Sequence, residues 1–193
     1  MRPLRFASCL VLLLFALPLA AQSHSVARIR TPLGEILFVL SDQTPRHKAS
    51  FIKLAGEHYW DSLTFNRVVK NFVAQGGCPD TPAGFAGSPY NLKPEFSDSL
   101  KHIYGAVGAG HDGNKEKLSA GCQFYIVANP NGIPRLDGNF TVYGHVFKGM
   151  DVVEKIVSTP KDSTDQPLTP VTLKIDVIEM QDSDLRKAGA RLP

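Results

Sequence analysis

The stretch from Phe65 to Gly77 constrains the fold more than any other part of this 193-residue sequence. It begins with the apolar residues Phe65, Val68 and Val69, passes through a turn, and continues as a second apolar segment that ends in two glycines. Arg67 lies within the first segment, although arginine is rarely buried without a partner. One explanation is an edge strand whose arginine head group reaches solvent. The other is a small apolar pocket with a few polar groups, because Phe72, Val73 and Gln75 follow at short range.

The remainder of the chain reads as short strands with two isolated helices. Thr44 followed by Pro45 predicts a helix over 44–56 with Thr44 as its N-cap, and a second short helix is predicted over 149–157. Many short strands with few helices predict a mainly β protein, a closed antiparallel barrel whose closure removes exposed strand edges. Apolar residues in strand-like patterns place the strands at 26–30, 35–40, 59–69, 72–75, 104–110, 123–128, 141–147 and 171–180.

The first 21 residues predict a cleavable signal peptide. They have a basic start with two arginines, a short apolar run over 10–19 and two alanines suited to cleavage. The run is too short for an ordinary membrane span, which needs about 20 residues. The alternatives are an uncleaved anchor and a lipoprotein at Cys9, although Cys9 precedes most of the apolar run. We therefore expect an exported protein, periplasmic or secreted, with no stable membrane insertion once the leader is removed.

Length and charge narrow the class of protein. A chain of this length favours one domain, which we place at 22–180, followed by a frayed polar tail at 181–193. The formal net charge is +3, and no run of lysine and arginine indicates a nucleic-acid surface. We expect a monomer with no nucleic-acid partner.

The stretch from 65 to 77 resembles the signature of the cyclophilins, the peptidyl-prolyl cis-trans isomerases. That family carries Phe-(His or Asn)-Arg-Val/Ile, a turn, and then Phe-Met/Val-x-Gln-Gly-Gly. The resemblance extends over roughly residues 25–180. It implies a closed eight-stranded antiparallel β-barrel with two short α-helices that cap its ends.

Three later segments complete the resemblance. Residues 105–111 are similar to the family strand that ends in Met-Ala-Asn/Arg, residues 121–126 to Gly-Ser-Gln-Phe-Phe-Ile, and residues 136–144 to Leu-Asp-Gly-x-(His or Tyr)-x-Val-Phe-Gly. The resemblance implies Arg67 and Gln75 as catalytic residues. It also implies a substrate-binding set that consists of Phe72, Val73, Gly110, His111, Gln123, Tyr125, Leu136 and Phe140.

The chain departs from the family pattern at two of these positions and at one neighbouring position. Tyr125 replaces the Phe that floors the proline pocket, and Phe140 stands where the family often has His or Tyr, so that one polar contact is lost. Arg135 stands where some members carry the Trp that is linked to tight cyclosporin binding. We therefore expect weak sensitivity to cyclosporin.

The resemblance implies a prolyl isomerase that assists the folding of exported proteins and binds proline-containing polypeptides. A donor such as Arg67, aimed at the prolyl nitrogen, would be bound more strongly at the twisted transition state than in the planar ground state. This chemistry requires no nucleophile, metal or cofactor. The alternative is a proline-peptide-binding chaperone module of the same fold with weak catalysis.

Two cysteines remain after removal of the leader, Cys78 and Cys122. Buried free thiols and a disulfide are both open interpretations, since export makes a disulfide permissible. In the family both positions lie beside the glutamines of the active site, so the two cysteines could be near each other. Of the six histidines, only His111 is assigned to the site, and the others are interpreted as surface or packing residues.

Overall fold

A nine-stranded antiparallel sheet forms the body of the protein in the computed structural model, which describes residues 22–78, 91–111 and 113–190. The order of strands across this sheet is β10-β3-β4-β8-β6-β9-β2-β1-β11, and a separate two-stranded sheet pairs β5 with β7. The strands are β1 (Ser23–Thr31), β2 (Gly34–Leu40), β3 (Thr64–Val69), β4 (Val73–Gly77), β5 (Asn91–Leu92), β6 (Ala106–Ala109), β7 (Ser119–Ala120), β8 (Gln123–Val127), β9 (Val142–Lys148), β10 (Val171–Thr172) and β11 (Lys174–Gln181).

The last predicted strand is divided in two, which is why the sheet has nine strands where eight were expected. β10 pairs with β3, whereas β11 pairs with β1 at the other end of the strand order. The break falls at Leu173, which is buried and whose backbone N–H donates to the carbonyl of Leu63 at 2.8 Å. The two terminal strands of the sheet are therefore separated by a single residue of the chain. The mainly β character with few helices is as predicted.

Two helices lie close to their predicted positions, α1 (Pro45–Gly56) and α2 (Met150–Val157). Thr44 is the N-cap residue of α1 and Pro45 is its first residue, as predicted, but the Thr44 hydroxyl donates to the carbonyl of Ser41 and makes no capping bond to the helix. The carboxylate of Glu95 instead accepts from the backbone N–H groups of Arg46 and His47, at 3.1 and 3.0 Å. A distant residue thus satisfies the free donors at the start of α1.

Aromatic residues fill the core between α1 and the sheet. Phe51 projects from α1 against Trp60, with ring centroids 4.6 Å apart, and against Phe38 of β2 at 5.3 Å. Trp60 in turn meets Phe124 of β8 at 6.2 Å. These rings are almost completely buried. Their packing against Phe124 holds β8, the strand that also carries residues of the candidate site.

The predicted strand over 59–69 begins later than expected, at Thr64. Residues 57–62 form turns, in which His58 and Ser62 have φ values of 56° and 74°. A strand requires negative φ, so these two residues end any extended pairing. Trp60 lies in the turn and still reaches the core, which is why the apolar pattern of this segment resembled a strand.

The tail was expected to be frayed, but its first part is helical. A third helix, α3 (Asp182–Lys187), follows β11, and Leu185 on it is fully buried against Val26, Leu37 and Val39. One apolar residue in a charged segment was too weak a signal to predict this packing. Residues 191–193 and the predicted leader at 1–21 lie outside the described residues, as does much of the loop before β5. Among the described helices, none has the length and apolar character that crossing a bilayer requires.

Candidate active site

All ten residues of the predicted site line one cavity of about 270 Å³. The hairpin β3–β4, the end of β6, the start of β8 and a short 3-10 helix (Pro134–Leu136) bring them together. Arg135 lines the same cavity, although the sequence analysis treated it only as a departure from the family pattern. The structure therefore places the ten candidates at one site.

Arg67 and Gln75 lie directly opposite each other across the β3–β4 hairpin. Directly opposed residues of an antiparallel pair project from the same face of the sheet, and the Arg67 Nη1 donates to the Gln75 Oε1 at 3.3 Å. The Arg67 side chain is 32% exposed, and its Nε lies 3.9 Å from an oxygen of Asp165. Its guanidinium carbon lies 5.7 Å from the centre of the Phe72 ring. The arginine is thus partly desolvated, and the cavity side of its head group is oriented by an amide.

The apolar part of the cavity consists of a floor and walls. Tyr125 forms the floor, and Val73 and Leu136 are buried beside it. Phe72 and Phe140 are half-buried and pack against this group. Such a lining suits a small apolar ring.

Gln123 contributes a buried amide that lacks a partner. Its side chain is 1% exposed, and its Nε2 makes no hydrogen bond within the described part of the chain. A buried donor without an acceptor costs free energy until a ligand or water satisfies it. The amide lies against the backbone of Gly110, where an added Cβ would be only 2.1 Å from the Gln123 Oε1. Only glycine at 110 leaves room for this amide.

His111 lies at the mouth of the cavity, and its ring stacks on Phe140 with centroids 4.0 Å apart. Its Nδ1 accepts from the backbone N–H of Gly113 at 2.9 Å, so its Nε2 carries the proton that is donated to the carbonyl of Asn139 at 3.1 Å. Both ring nitrogens therefore have partners, and the polar contact to substrate predicted for His111 would require one of these bonds to be exchanged.

Cys78 and Cys122 form a disulfide, which decides between the two interpretations that the sequence left open. The bond joins the residue after β4 to the residue before Gln123. The carbonyl of Cys122 also accepts from the Trp60 Nε1 at 2.9 Å and from the Cys78 N–H at 3.1 Å. The disulfide thus anchors the start of β8 directly beside the site.

Two residues near the site were missed by the sequence analysis. His102 was interpreted as a surface or packing residue, but it is buried and lies 2.8 Å from the hydroxyl of Tyr125. Asp137 lies 2.7 Å from the other ring nitrogen of His102. The only available signal was a tyrosine where the family has phenylalanine, because a buried hydroxyl needs a partner. The sequence could not identify this partner, because His102 lies 23 positions from Tyr125 in the chain.

The fold and the cavity together define a mainly β protein whose pocket is lined by both apolar and polar side chains and contains an arginine–glutamine pair. The described residues contain no cluster of three or more histidine, cysteine or acidic side chains that could hold a metal ion.

The family model described as "Cyclophilin type peptidyl-prolyl cis-trans isomerase/CLD" matches residues 26–177. The chain is similar to peptidyl-prolyl cis-trans isomerase CYP18-2 of Arabidopsis thaliana, with 35% identity over 67% of this chain and 78% of that protein. It is similar to peptidyl-prolyl cis-trans isomerase B of Bacillus subtilis, with 39% identity over 60% of this chain and 77% of that protein. A crystal structure of a cyclophilin-type isomerase from Cryptosporidium parvum has a TM-score of 0.72 at 24% identity, and the match covers 81% of this chain and 98% of that one. The chain belongs to the cyclophilin-type peptidyl-prolyl cis-trans isomerase family.

Proposed function

We propose that this protein accelerates rotation about Xaa-Pro bonds in exported polypeptides while they fold, and that Arg67 is the group that stabilises the twisted bond. Its cyclophilin-type isomerase activity follows from the family. The residue roles and the cellular setting are the proposal. The observation that carries it is the position of the Arg67 guanidinium, which is held by Gln75 and lines the same cavity as the apolar side chains.

The reaction needs stabilisation of one changing atom. Rotation about a peptide bond has a barrier of about 18–20 kcal/mol, because resonance gives the C–N bond partial double-bond character. As the bond twists, the resonance is lost and the prolyl nitrogen regains its lone pair. A guanidinium aimed at this nitrogen can donate a hydrogen bond to the lone pair, and it keeps its proton because arginine stays charged. This hydrogen bond is strongest at the transition state.

The cavity supplies the second requirement, which is a fixed proline ring. Phe72, Tyr125 and Leu136 hold the ring while the residue before proline turns, and the free Nε2 of Gln123 donates to a carbonyl of the bound peptide. A related Cryptosporidium parvum isomerase was crystallised in the presence of the dipeptide Ala-Pro. Crystallisation with this dipeptide supports a proline-containing peptide as the occupant of the cavity in this chain.

The test is a protease-coupled assay of isomerisation on a short Xaa-Pro peptide. Arg67→Ala should lower kcat/KM by about 10²–10³-fold, as loss of a single transition-state donor does in other enzymes. Arg67→Lys should recover little, because an ammonium lacks the planar fork of donors. Arg30→Ala is the matched control, since Arg30 is a half-exposed arginine on β1 with a surface ion pair to Asp176.

A result in which wild type is no faster than Arg67→Ala would contradict the proposed role. If both proteins bound the peptide with equal affinity and neither accelerated rotation, the protein would be the proline-peptide-binding chaperone module.

We further propose that the protein is exported and acts outside the cytoplasm. The basic start, the short apolar run and the alanines of residues 1–21 support a cleavable leader. The disulfide between Cys78 and Cys122 also supports export, because such bonds persist mainly in oxidising compartments. Mass spectrometry of the native protein should give a chain that begins close to residue 22. An intact leader on the functional protein would contradict cleavage.

We also propose that the sheet closes into the eight-stranded barrel that the family resemblance implies. The support is that β10 and β11 pair with opposite ends of the strand order although only Leu173 separates them. If β10 and β11 are counted as one continuous strand, the nine strands become eight.

A further inference from the structure

A chain of three hydrogen-bonded polar side chains runs beneath the floor of the cavity, and its outer member, Asp137, is 24% exposed. The Tyr125 hydroxyl lies 2.8 Å from the Nε2 of His102, and the Nδ1 of His102 lies 2.7 Å from the Asp137 Oδ1. Tyr125 is 5% exposed and His102 is 2% exposed. Asp137 also accepts from the backbone N–H of His102 at 2.9 Å. Of these three residues, Tyr125 lines the cavity, whereas His102 and Asp137 do not.

The direction of each hydrogen bond follows from the chemistry of the three groups. The pKa of Asp137 is lowered, because the bonds from the ring and the backbone N–H of His102 outweigh the opposing effect of burial. The carboxylate can then only accept, so the Nδ1 of His102 carries the proton. The Nε2 is left as an acceptor, and the Tyr125 hydroxyl donates to it. Burial raises the pKa of Tyr125, so this hydroxyl keeps its proton.

The surroundings leave the Tyr125 hydroxyl little freedom. An added Cβ at Gly108 on the neighbouring strand β6 would lie 2.4 Å from this oxygen, so the backbone of Gly108 closely covers that end of the ring. The ring of His102 lies almost parallel to that of Tyr125, with an angle of 16° between the planes. A hydroxyl enclosed in this way has no route to solvent if its partner is removed.

His102 also connects the floor of the cavity to one of its walls. Asp137 directly follows Leu136, the wall residue at the end of the 3-10 helix. The carbonyl of His102 accepts from the backbone N–H of Ile133, just before that helix, at 2.7 Å. A single histidine is therefore bonded through its ring to the floor, through both ring and backbone to Asp137, and through its carbonyl to the other end of the helix.

We infer that His102 is a positioning residue for prolyl isomerisation, which fixes the ring of Tyr125 as the floor of the proline pocket and sets its distance from the Leu136 wall. The inference rests on the proposed function of this cavity. A floor that shifts weakens binding of the planar and the twisted states of the substrate alike. Loss of the link should therefore raise KM and leave kcat almost unchanged.

Two substitutions at position 102 separate the two bonds of the histidine ring. In His102→Gln the terminal amide occupies the region of Nε2, so its oxygen still accepts from Tyr125. In His102→Asn the shorter amide occupies the region of Nδ1, so it still donates to Asp137 but leaves the Tyr125 hydroxyl buried without a partner. We expect KM for an Xaa-Pro peptide to rise about tenfold in His102→Asn and less than about threefold in His102→Gln, with kcat within about twofold in both.

The rescue experiment adds Tyr125→Phe to His102→Asn. Removal of the hydroxyl removes the unpaired group, and replacing both members of a buried pair costs far less than removing one. KM of the double variant should fall to within about threefold of that of Tyr125→Phe alone. A general loss of folding would give no such recovery, and thermal unfolding of each variant is measured alongside.

Equal KM values for His102→Asn and His102→Gln, or a double variant no better than His102→Asn, would overturn the positioning role. Arg67→Ala is assayed with the same peptide. If Arg67→Ala retained full activity while the position-102 variants behaved as expected, the proposed catalytic role of Arg67 would be wrong. The inference about His102 would stand. If KM were unchanged in both position-102 variants while Arg67→Ala was inactive, only the inference about His102 would be refuted.

Discussion

At position 110 the absence of a side chain decides where the Gln123 amide lies. The amide oxygen occupies the space that a methyl group at Gly110 would need, and the amide nitrogen is buried without a partner in the described structure. The two residues are also paired through their backbones, since the Gly110 N–H donates to the Gln123 carbonyl at 3.2 Å. The glycine is therefore part of the site although it has no chemistry of its own.

We predict that Gly110→Ala displaces the Gln123 side chain and raises KM for Xaa-Pro peptides about tenfold, a loss on the scale of one hydrogen bond to substrate. Steady-state kinetics provide the measurement. Gly56→Ala is the matched control, because nothing lies within 4 Å of a Cβ at that position at the end of α1. Unchanged KM in Gly110→Ala would show that the Gln123 amide does not contact substrate.

At the scale of single residues, the sequence showed which side chains gather at the site but not which partners hold them. Arg67 and Gln75 could be identified because a charged residue in an apolar strand and a nearby amide lie in one short stretch. His102 and Asp137 are separated by 35 positions and carry no local pattern. Their role depends on tertiary contacts, which neither spacing nor composition reveals.

The hairpin β3–β4 and strand β8 form the element on which the site depends. β4 pairs with both neighbours, so Gln75 lies opposite Arg67 on one side and opposite Tyr125 on the other. The disulfide closes a loop of 44 positions at the end of this pair of strands. The three strands therefore hold the donor, the orienting amide and the pocket floor in one register.

We predict that loss of the disulfide destabilises the fold by about 2–4 kcal/mol, because the cross-link restricts the unfolded chain. Urea unfolding of wild type with and without reductant measures this difference. The double variant Cys78→Ala with Cys122→Ala should match the reduced protein and should not respond to reductant. An equal free energy of unfolding for the oxidised wild type and the double variant would contradict a stabilising role.

Elements with a long periodic pattern could be predicted, and those set by distant contacts could not. The helices α1 and α2 were placed within a residue because proline, glycine and an apolar face mark them. The division of the last strand at Leu173 was missed, since it depends on a bond to Leu63 more than 100 positions earlier. The turn around Trp60 was mistaken for a strand because its apolar residues point to the core from irregular backbone.

Two buried histidines make the stability of the whole molecule depend on pH. His47 links α1 to Glu95 at 2.7 Å and to the Ser119 hydroxyl at 3.1 Å, and His102 lies beneath the site. Burial lowers the pKa of His47 and that of His102, although hydrogen bonds to Glu95 and Asp137 oppose the shift. The carboxyl pKa values of Glu95 and Asp137 are also lowered, because the bonds from these histidines outweigh burial.

The folded state therefore holds fewer protons than the unfolded chain once the pH falls below the ordinary histidine pKa of 6.5. We predict that Tm is constant near neutral pH and declines from about pH 6.5 downward, first through the histidines and then through the two carboxylates. Differential scanning calorimetry over this range is the measurement. His47→Gln should reduce the decline, whereas His58→Gln, at a largely exposed side chain, should leave it unchanged. A Tm that rises on acidification would contradict the direction of these shifts.

The central claim for the molecule is that the Arg67 guanidinium meets the prolyl nitrogen of a peptide held in this cavity. The most direct measurement is a crystal structure of the complex with an Ala-Pro peptide. We predict the proline ring between Phe72, Tyr125 and Leu136, with its nitrogen about 3 Å from a guanidinium nitrogen of Arg67. A ring bound outside the cavity, or a guanidinium turned away from the prolyl nitrogen, would contradict the account.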